Sequence, residues 1–366
     1  MTPHSDPYTQ NSHNIEQQPI PTSMPPASEI TPPMGETPPQ VLAEQAAEGH
    51  RGAAWRLMIW ILKNDPRAMI AVSSLEDDRL ARNLLEFIAL GTWAGKPFVV
   101  PLPLRSPYAR TRLRTLFLPD AGMDSERARR VLLAGMASPN PHMRENAAYI
   151  LGLIGNRNDV PVLIEALKDA VPSVRFQAAK ALGRMHAIEA VPALLSALHS
   201  ADEFLGSQIF QSLVQIGGAA VPDLIAECSS ISAWTRWHCV RALGEINDAR
   251  AIPILAQSLN DPDHGVAWMA AKELIQFGKL IVVPTLQVLM SADTSPWLAE
   301  TGSYVLHQLY LRYIKLKPYL APLVQEMQQS SFKIGTAYTA QKTLRQIEKD
   351  KVLQSSTREL SATEWT

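Results

Sequence analysis

The sequence predicts an all-α protein: a solenoid of about six or seven stacked helical hairpins behind a helical N-terminal cap. Three observations carry this. Five prolines, Pro161, Pro192, Pro222, Pro253 and Pro284, recur at gaps of 31, 30, 31 and 31. Six leucines, Leu151, Leu182, Leu213, Leu243, Leu274 and Leu306, recur at gaps of 31, 31, 30, 31 and 32. Within one period, Val160, Leu163, Ile164 and Leu167 stand at i, i+3, i+4 and i+7, the spacing of one helix face. A period of this length marks supersecondary units that bury their apolar faces against neighbouring copies.

Residues 1–40 read as a disordered tail. They hold ten Pro among Ser, Thr, Gln and Asn, too little apolar surface to offset ordering entropy. Thr31-Pro32-Pro33 and Thr37-Pro38-Pro39 offer phosphorylation or proline-reading sites, against the plainer reading of a spacer. Residues 41–124 read as the cap, since the end of a solenoid exposes an apolar face that must be covered. Val41–Leu62 is expected as one helix, and Asp77–Leu90 as a second, stopped by Gly91. Gly91–Pro107 is expected to be irregular and Tyr108–Phe117 a short helix. The segment Gly91-Thr92-Trp93-Ala94-Gly95-Lys96-Pro97 is not a phosphate loop: it has three residues between the glycines, and Pro rather than Ser or Thr after the Lys.

Residues 125–347 carry the repeat, and 348–366 read as a second disordered tail. In the unit from Val160 to His186, Pro161 sits in the first turn of the leading helix, where a missing N–H costs nothing. Asp169-Ala170-Val171-Pro172 breaks that helix, and Ser173 is the expected N-cap of the next. Val174, Ala178, Ala181, Leu182 and Met185 line one face of this second helix. The pairs Ala147-Ala148, Ala178-Ala179 and Ala270-Ala271 permit close helix approach.

The pattern V-P-x-L-x-x-A-L followed by D-x-x-x-x-V-R-x-x-A-A-x-A-L-G-x-I/M, as at Val160–Met185 and Ile252–Phe277, resembles the HEAT-like repeat, in the short form of the phycobilisome lyases. Ser125–Ile154, Val191–Ile216 and Val221–Ile246 match with changes, Val282–Leu309 more weakly, and Lys317–Ile347 as a degenerate last unit. The family's Arg stands at Arg144, Arg175 and Arg236, with Gly206, Ala267 and Ala299 at the equivalent places. The resemblance implies an Asp–Arg ladder between repeats that is only partial here. It also implies that the second helices line the concave side.

Composition narrows the function. Net charge is −1 overall. Residues 1–50 hold six acidic side chains and no Lys or Arg, leaving 34 basic against 29 acidic in the remainder, a mild +5. That argues against a general nucleic-acid binder. Two Cys, Cys228 and Cys239, suggest buried thiols rather than a disulfide or metal framework. No run of about 18 apolar residues appears, so a cytoplasmic protein without membrane association is expected.

The sharpest candidate site lies on the second helices. Phe176, Trp237 and Trp268 share one repeat position, and Lys180, Arg241 and Lys272 stand four residues later on the same face. Such rows suit an acidic or aromatic peptide of another protein. The competing reading is that the rings pack between repeats with cations over them, the reading favoured for Phe176. Trp234, Trp297 and Tyr304 enrich the region, and His238 and His264 lie near the tryptophans as lone histidines. A second candidate is a basic patch, Arg110 and Arg114, within Arg105–Arg114, against a solvated, salt-bridged cap helix.

These features point to a protein-binding scaffold or adaptor. A lyase-like or other modifying enzyme is the alternative that the resemblance raises, and nucleic-acid binding a third. No catalytic residue, cofactor or metal site is legible. The HEAT-like deoxyhypusine hydroxylases hold iron through His-Glu dipeptides, and none of the nine His here precedes a Glu.

Overall fold

The computed structural model describes residues 37–75, 77–98, 104, 106–119, 123–291, 295–327 and 335–353. Of the two expected tails, residues 1–36 and 354–366 lie outside the described residues, as does Arg105, while the last helix runs on to Lys349.

The cap begins earlier and is more broken than expected. Pro39, placed in the tail by sequence, is the first residue of α1 (Pro39–Ala47). The single helix expected over Val41–Leu62 is two, α1 and α2 (Arg51–Leu62). Gly49 adopts φ 100°, where a side chain is strained, and the chain turns there. A third helix, α3 (Pro66–Ser74), follows with Asp65 capping the N–H of Arg67. In α4 (Asp78–Leu90), Asp77 caps the N-terminus and Gly91 closes the C-terminus in the left-handed conformation. The rejected phosphate-loop segment forms a two-residue hairpin, β1 (Thr92–Trp93) with β2 (Lys96–Pro97). It delivers Trp93 into the core, where the indole N–H donates to Ala46 O at 2.9 Å. The α5 helix (Pro107–Arg114) closes the cap over α2 and α4.

Seven helix pairs follow: α6 (Ser125–Met136) with α7 (Pro141–Ile154), α8 (Val160–Ala166) with α9 (Pro172–Arg184), α10 (Val191–Leu198) with α11 (Glu203–Ile216), α12 (Val221–Glu227) with α13 (Ala233–Ile246), α14 (Ile252–Gln257) with α15 (His264–Leu274), α16 (Val282–Leu289) with α17 (Leu298–Arg312), and α18 (Lys317–Met327) with α19 (Gly335–Lys349). The periodic prolines 161, 192, 222 and 253 all sit in the first turn of a leading helix. The second start differs from expectation: α9 begins at Pro172 and Val171 occupies the N-cap. Ser173 instead donates its hydroxyl to Glu145 on α7 at 2.9 Å. Cap helix α4 covers the exposed end of the first pair by packing on both α6 and α7.

From α7 to α17 the second helices form one tight layer, whereas α19 packs on α16 and α18. Contacts α7–α9 and α9–α11 are the most extensive between helices, whereas neighbouring leading helices touch far less. Small residues make this possible. A Cβ on Gly152 would lie 2.5 Å from the Cβ of Ala181, one on Gly183 would lie 2.7 Å from the Cα of Ser212, and one on Gly244 would lie 2.3 Å from the Cβ of Glu273. Ala147, Ala148, Ala178, Ala179, Ala270 and Ala271 are all fully buried.

The expected partial ladder is present and explained. Arg144, Arg175 and Arg236 each bind two carbonyls of their own hairpin loop: Ser138 and Pro139, Asp169 and Ala170, Ser230 and Ile231. Arg144 then reaches Asp169 of the next hairpin through two bonds of 2.6 and 2.9 Å, and Arg236 reaches Asp261 through two of 2.7 Å. The position corresponding to these aspartates for Arg175 is Ser200, so that rung is missing. Hydrogen bonding to Arg144 holds the Asp169 carboxyl below its ordinary value.

Two outcomes follow from this packing. Gly183→Ala should lower stability by about 1–3 kcal/mol through overpacking, measured by urea unfolding, whereas an alanine at exposed Gly52, which meets nothing, should not. Because the Asp169 pKa is depressed on folding, its contribution is present above the unfolded carboxylate value and is lost as pH falls through the folded one. Asp169→Asn should therefore lower stability near neutrality and lessen the further loss on acidification below pH ~4, read from melting temperatures across pH.

Candidate functional site

The second helices carry the candidate residues because helical spacing fixes them there. Phe176 and Lys180 lie on α9, Trp237 and Arg241 on α13, and Trp268 and Lys272 on α15. Side chains four apart on a helix lie one above the other. Lys180 Nζ lies 6.0 Å from the Phe176 ring centroid, and the Arg241 guanidinium 5.4 Å from Trp237. No corresponding contact joins Lys272 to Trp268 among the described residues; Lys272 points to solvent while Trp268 packs on Tyr304 at 4.9 Å.

Neighbouring hairpins add what a single-helix reading does not contain. Arg241 also lies 4.1 Å from the ring of Phe210 on α11, so its guanidinium is held against two aromatic faces. It makes no hydrogen bond or ion pair among the described residues, and its N–H donors remain available. Phe176 stacks on Phe204 of the next hairpin, 4.4 Å between centroids and 13° between planes. Phe204 itself is 67% exposed. Trp234 stacks loosely on Trp237 at 6.5 Å and stands edge-on to His238 at 4.4 Å. Trp237 approaches His238 from another side at 4.9 Å. Gly206 makes room for this group: a Cβ there would lie 2.7 Å from the Trp234 ring. At the far end, His264 lies 4.6 Å from Trp297 and 6.3 Å from Trp268. The Trp297 indole donates to Pro262 O at 3.1 Å, which fixes that ring.

His238 is buried, and neither ring nitrogen has a hydrogen-bond partner among the described residues. Burial, with the charge of Arg241 adding to it, pushes its pKa down to about 4. It is a neutral imidazole in an aromatic cage. The two thiols are buried, as expected; burial raises Cys228 to about 12 and Cys239 further.

The basic patch also changes character. Arg110 is exposed, while Arg114 is half-buried, donates to Asn146 Oδ1 at 2.7 Å and lies 4.8 Å from the ring of Tyr149 on α7. Neither belongs to a salt bridge among the described residues, contrary to the salt-bridged cap helix that charge runs suggest. Tyr149 occupies the repeat position of Lys180, Arg241 and Lys272, and continuing that row backwards from Lys180 would have found it. No sequence signal joined Arg114 to it.

A family signature described as HEAT repeats matches residues 128–214, 160–231 and 221–303. No curated protein sequence matches the chain. Among solved structures, an engineered protein is 17% identical, with 86% of this chain and 99% of that one covered and a TM-score of 0.37. The complex of CpcE and CpcF of phycocyanin lyase from Nostoc is 19% identical, with 66% of this chain and 91% of that one covered and a TM-score of 0.30. Importin beta is 12% identical, with 83% of this chain and 45% of that one covered and a TM-score of 0.48. Among the described residues no helix is long and apolar enough to cross a membrane.

The state of His238 gives a test. Its pKa falls on folding from an ordinary 6.5 to about 4, so stability present above pH 6.5 is lost as pH drops through that window. His238→Leu should remove this acid-dependent component. It should also be no less stable at pH 7.5, because an unsatisfied buried polar group is exchanged for an apolar one. Paired thermal melts between pH 4 and 7.5 read both effects.

Proposed function

Residues 128–303 belong to the HEAT repeats, and from that premise we propose that this protein is a binding scaffold. Its second-helix layer, as the concave face, receives an acidic or aromatic segment of another protein. The observation that carries the reading is Arg241, lying 4.1 Å from Phe210 and 5.4 Å from Trp237 with no hydrogen-bond or ion-pair partner among the described residues. Stacking orients the guanidinium while leaving its planar set of donors for a carboxylate, which such a fork binds through two parallel bonds. The half-buried rings beside it supply apolar area of the kind that dominates binding energy.

A groove built on packed helices is ordered before the partner arrives, so little conformational entropy is lost in the receptor on binding. Trp237 and Trp268 are the anchors in this account and Arg241 the orienting charge. Phe176 contributes less, since Phe204 already covers one of its faces. Lys180 and Lys272 provide longer-range attraction.

The test is a comparison of wild type with Trp237→Ala/Trp268→Ala in partner capture from native lysate, alongside circular dichroism and melting. The expected result is a discrete protein retained by wild type and lost from a variant that keeps its helical signal. Collapse of the fold in the variant would show the rings to be structural. Identical capture by both proteins would also rule out the groove. Arg241→Lys gives a finer measure: it keeps the charge but removes the planar fork, and should weaken capture by about 1 kcal/mol or more.

A further inference from the structure

A cluster of cations stands at the other end of the same helix layer. Tyr149 has the Arg114 guanidinium at 4.8 Å and that of Arg184 at 5.4 Å from its ring centroid. Lys180 is one turn before Arg184 on α9, near enough for the two charges to repel, with its Nζ 6.0 Å from the Phe176 ring. Burial and repulsion from Arg184 lower the pKa of Lys180; burial lowers that of Arg114, and the charge of Arg110 contributes. No salt bridge offsets these cations among the described residues. Among the described residues Glu145 is the carboxylate that influences Arg114; it accepts from the Ser173 hydroxyl at 2.9 Å and forms no salt bridge with the arginine. Lys180, Arg184 and Arg114 take part in no salt bridge among the described residues. Three cations with one nearby carboxylate leave a net positive charge that raises the free energy of the unliganded protein, and an arriving anion relieves it.

We propose that Arg114 and Arg184, both over the Tyr149 ring, form with Lys180 an anion site that receives a run of carboxylates in the same partner segment whose aromatic side chain engages Trp237. This rests on the groove reading above and extends it by giving the partner segment a polarity. Packed helices lie 8–10 Å apart, and α9 and α13 are two steps apart in the layer. An extended chain rises about 3.3 Å per residue. The carboxylates and the aromatic residue should therefore be separated by about six residues.

The cluster is local, which distinguishes it from a nucleic-acid path. One hairpin further on, the positions of Lys180 and Arg184 are held by Gln211 and Gln215, and the hairpin after that has Glu245 in the Arg184 position. A phosphate backbone needs cations along its whole track, whereas a short acidic run needs them at one place.

The experiment uses the full chain and two labelled synthetic peptides, read by fluorescence anisotropy. One has four Glu, a six-residue Gly/Ser spacer and Trp; the other replaces the four Glu by Gln. The expected result is binding of the Glu peptide about tenfold tighter than the Gln peptide at low salt, the scale of a few partly screened ion pairs. That advantage should disappear in Lys180→Gln/Arg184→Gln, and Trp237→Ala should weaken both peptides. Equal binding of the two peptides to wild type, still weakened by Trp237→Ala, would overturn the anion site and leave the groove standing. A Glu preference that survives Lys180→Gln/Arg184→Gln would place the anion elsewhere and overturn the site. No binding of either peptide would overturn both readings. A random single-stranded oligonucleotide binding more tightly than the Glu peptide would assign the cluster to nucleic acid instead.

Discussion

The second helices can approach one another only as closely as the residues between them allow, and the rest of the molecule depends on that distance. Gly152 against Ala181, Gly183 against Ser212 and Gly244 against Glu273 leave no room for a further methyl group. Short helices such as α8, of seven residues, gain too few internal bonds to persist alone. Their stability comes from burial against the next copy. Where the second helices close together, the leading helices on the opposite side can spread, which accounts for the unequal contact of the two layers. The aromatic and cationic side chains become neighbours only because their helices are held this near.

Polar interactions refine this packing at the hairpin loops. Arg144 and Arg236 tie their own loop carbonyls and the next hairpin's aspartate in one planar network. Arg175 performs only the first half, because Ser200 stands where an aspartate would be needed. The α9–α11 junction therefore relies on small residues and on Ser212, whose buried hydroxyl donates to Ala179 O at 2.8 Å. The same junction is where Phe204 emerges to stack on Phe176 and where the cation row gives way to Gln211. Missing rung, exposed ring and change of surface charge thus coincide in the stack.

The candidate surface has two chemical regions along one helix layer. Near the cap, Arg114 and Arg184 lie over Tyr149 with Lys180 one turn before Arg184; further on, Arg241, Phe210, Trp237, Trp234 and His238 form an aromatic group with one stacked cation. Deep burial keeps His238 neutral, which spares the aromatic group a second positive charge beside Arg241.

The sequence by itself determined the repeat, the placement of prolines in the leading helices, and the assignment of Phe176, Trp237 and Trp268 to one position with cations a turn later. These are consequences of periodicity within a helix and between copies, and a linear chain carries both. It did not determine where the first long apolar stretch breaks, because a single Gly49 at positive φ decides that. Nor did it show that Ser173 serves Glu145 instead of capping its own helix. Tertiary structure alone decided which rings and charges meet: Phe210 under Arg241, Phe204 on Phe176, and Arg114 from the cap on Tyr149. The physical reason is that a contact between neighbouring helices depends on their axial offset and crossing angle. Interdigitating side chains of all the packed copies set these together, and a repeat period does not encode them.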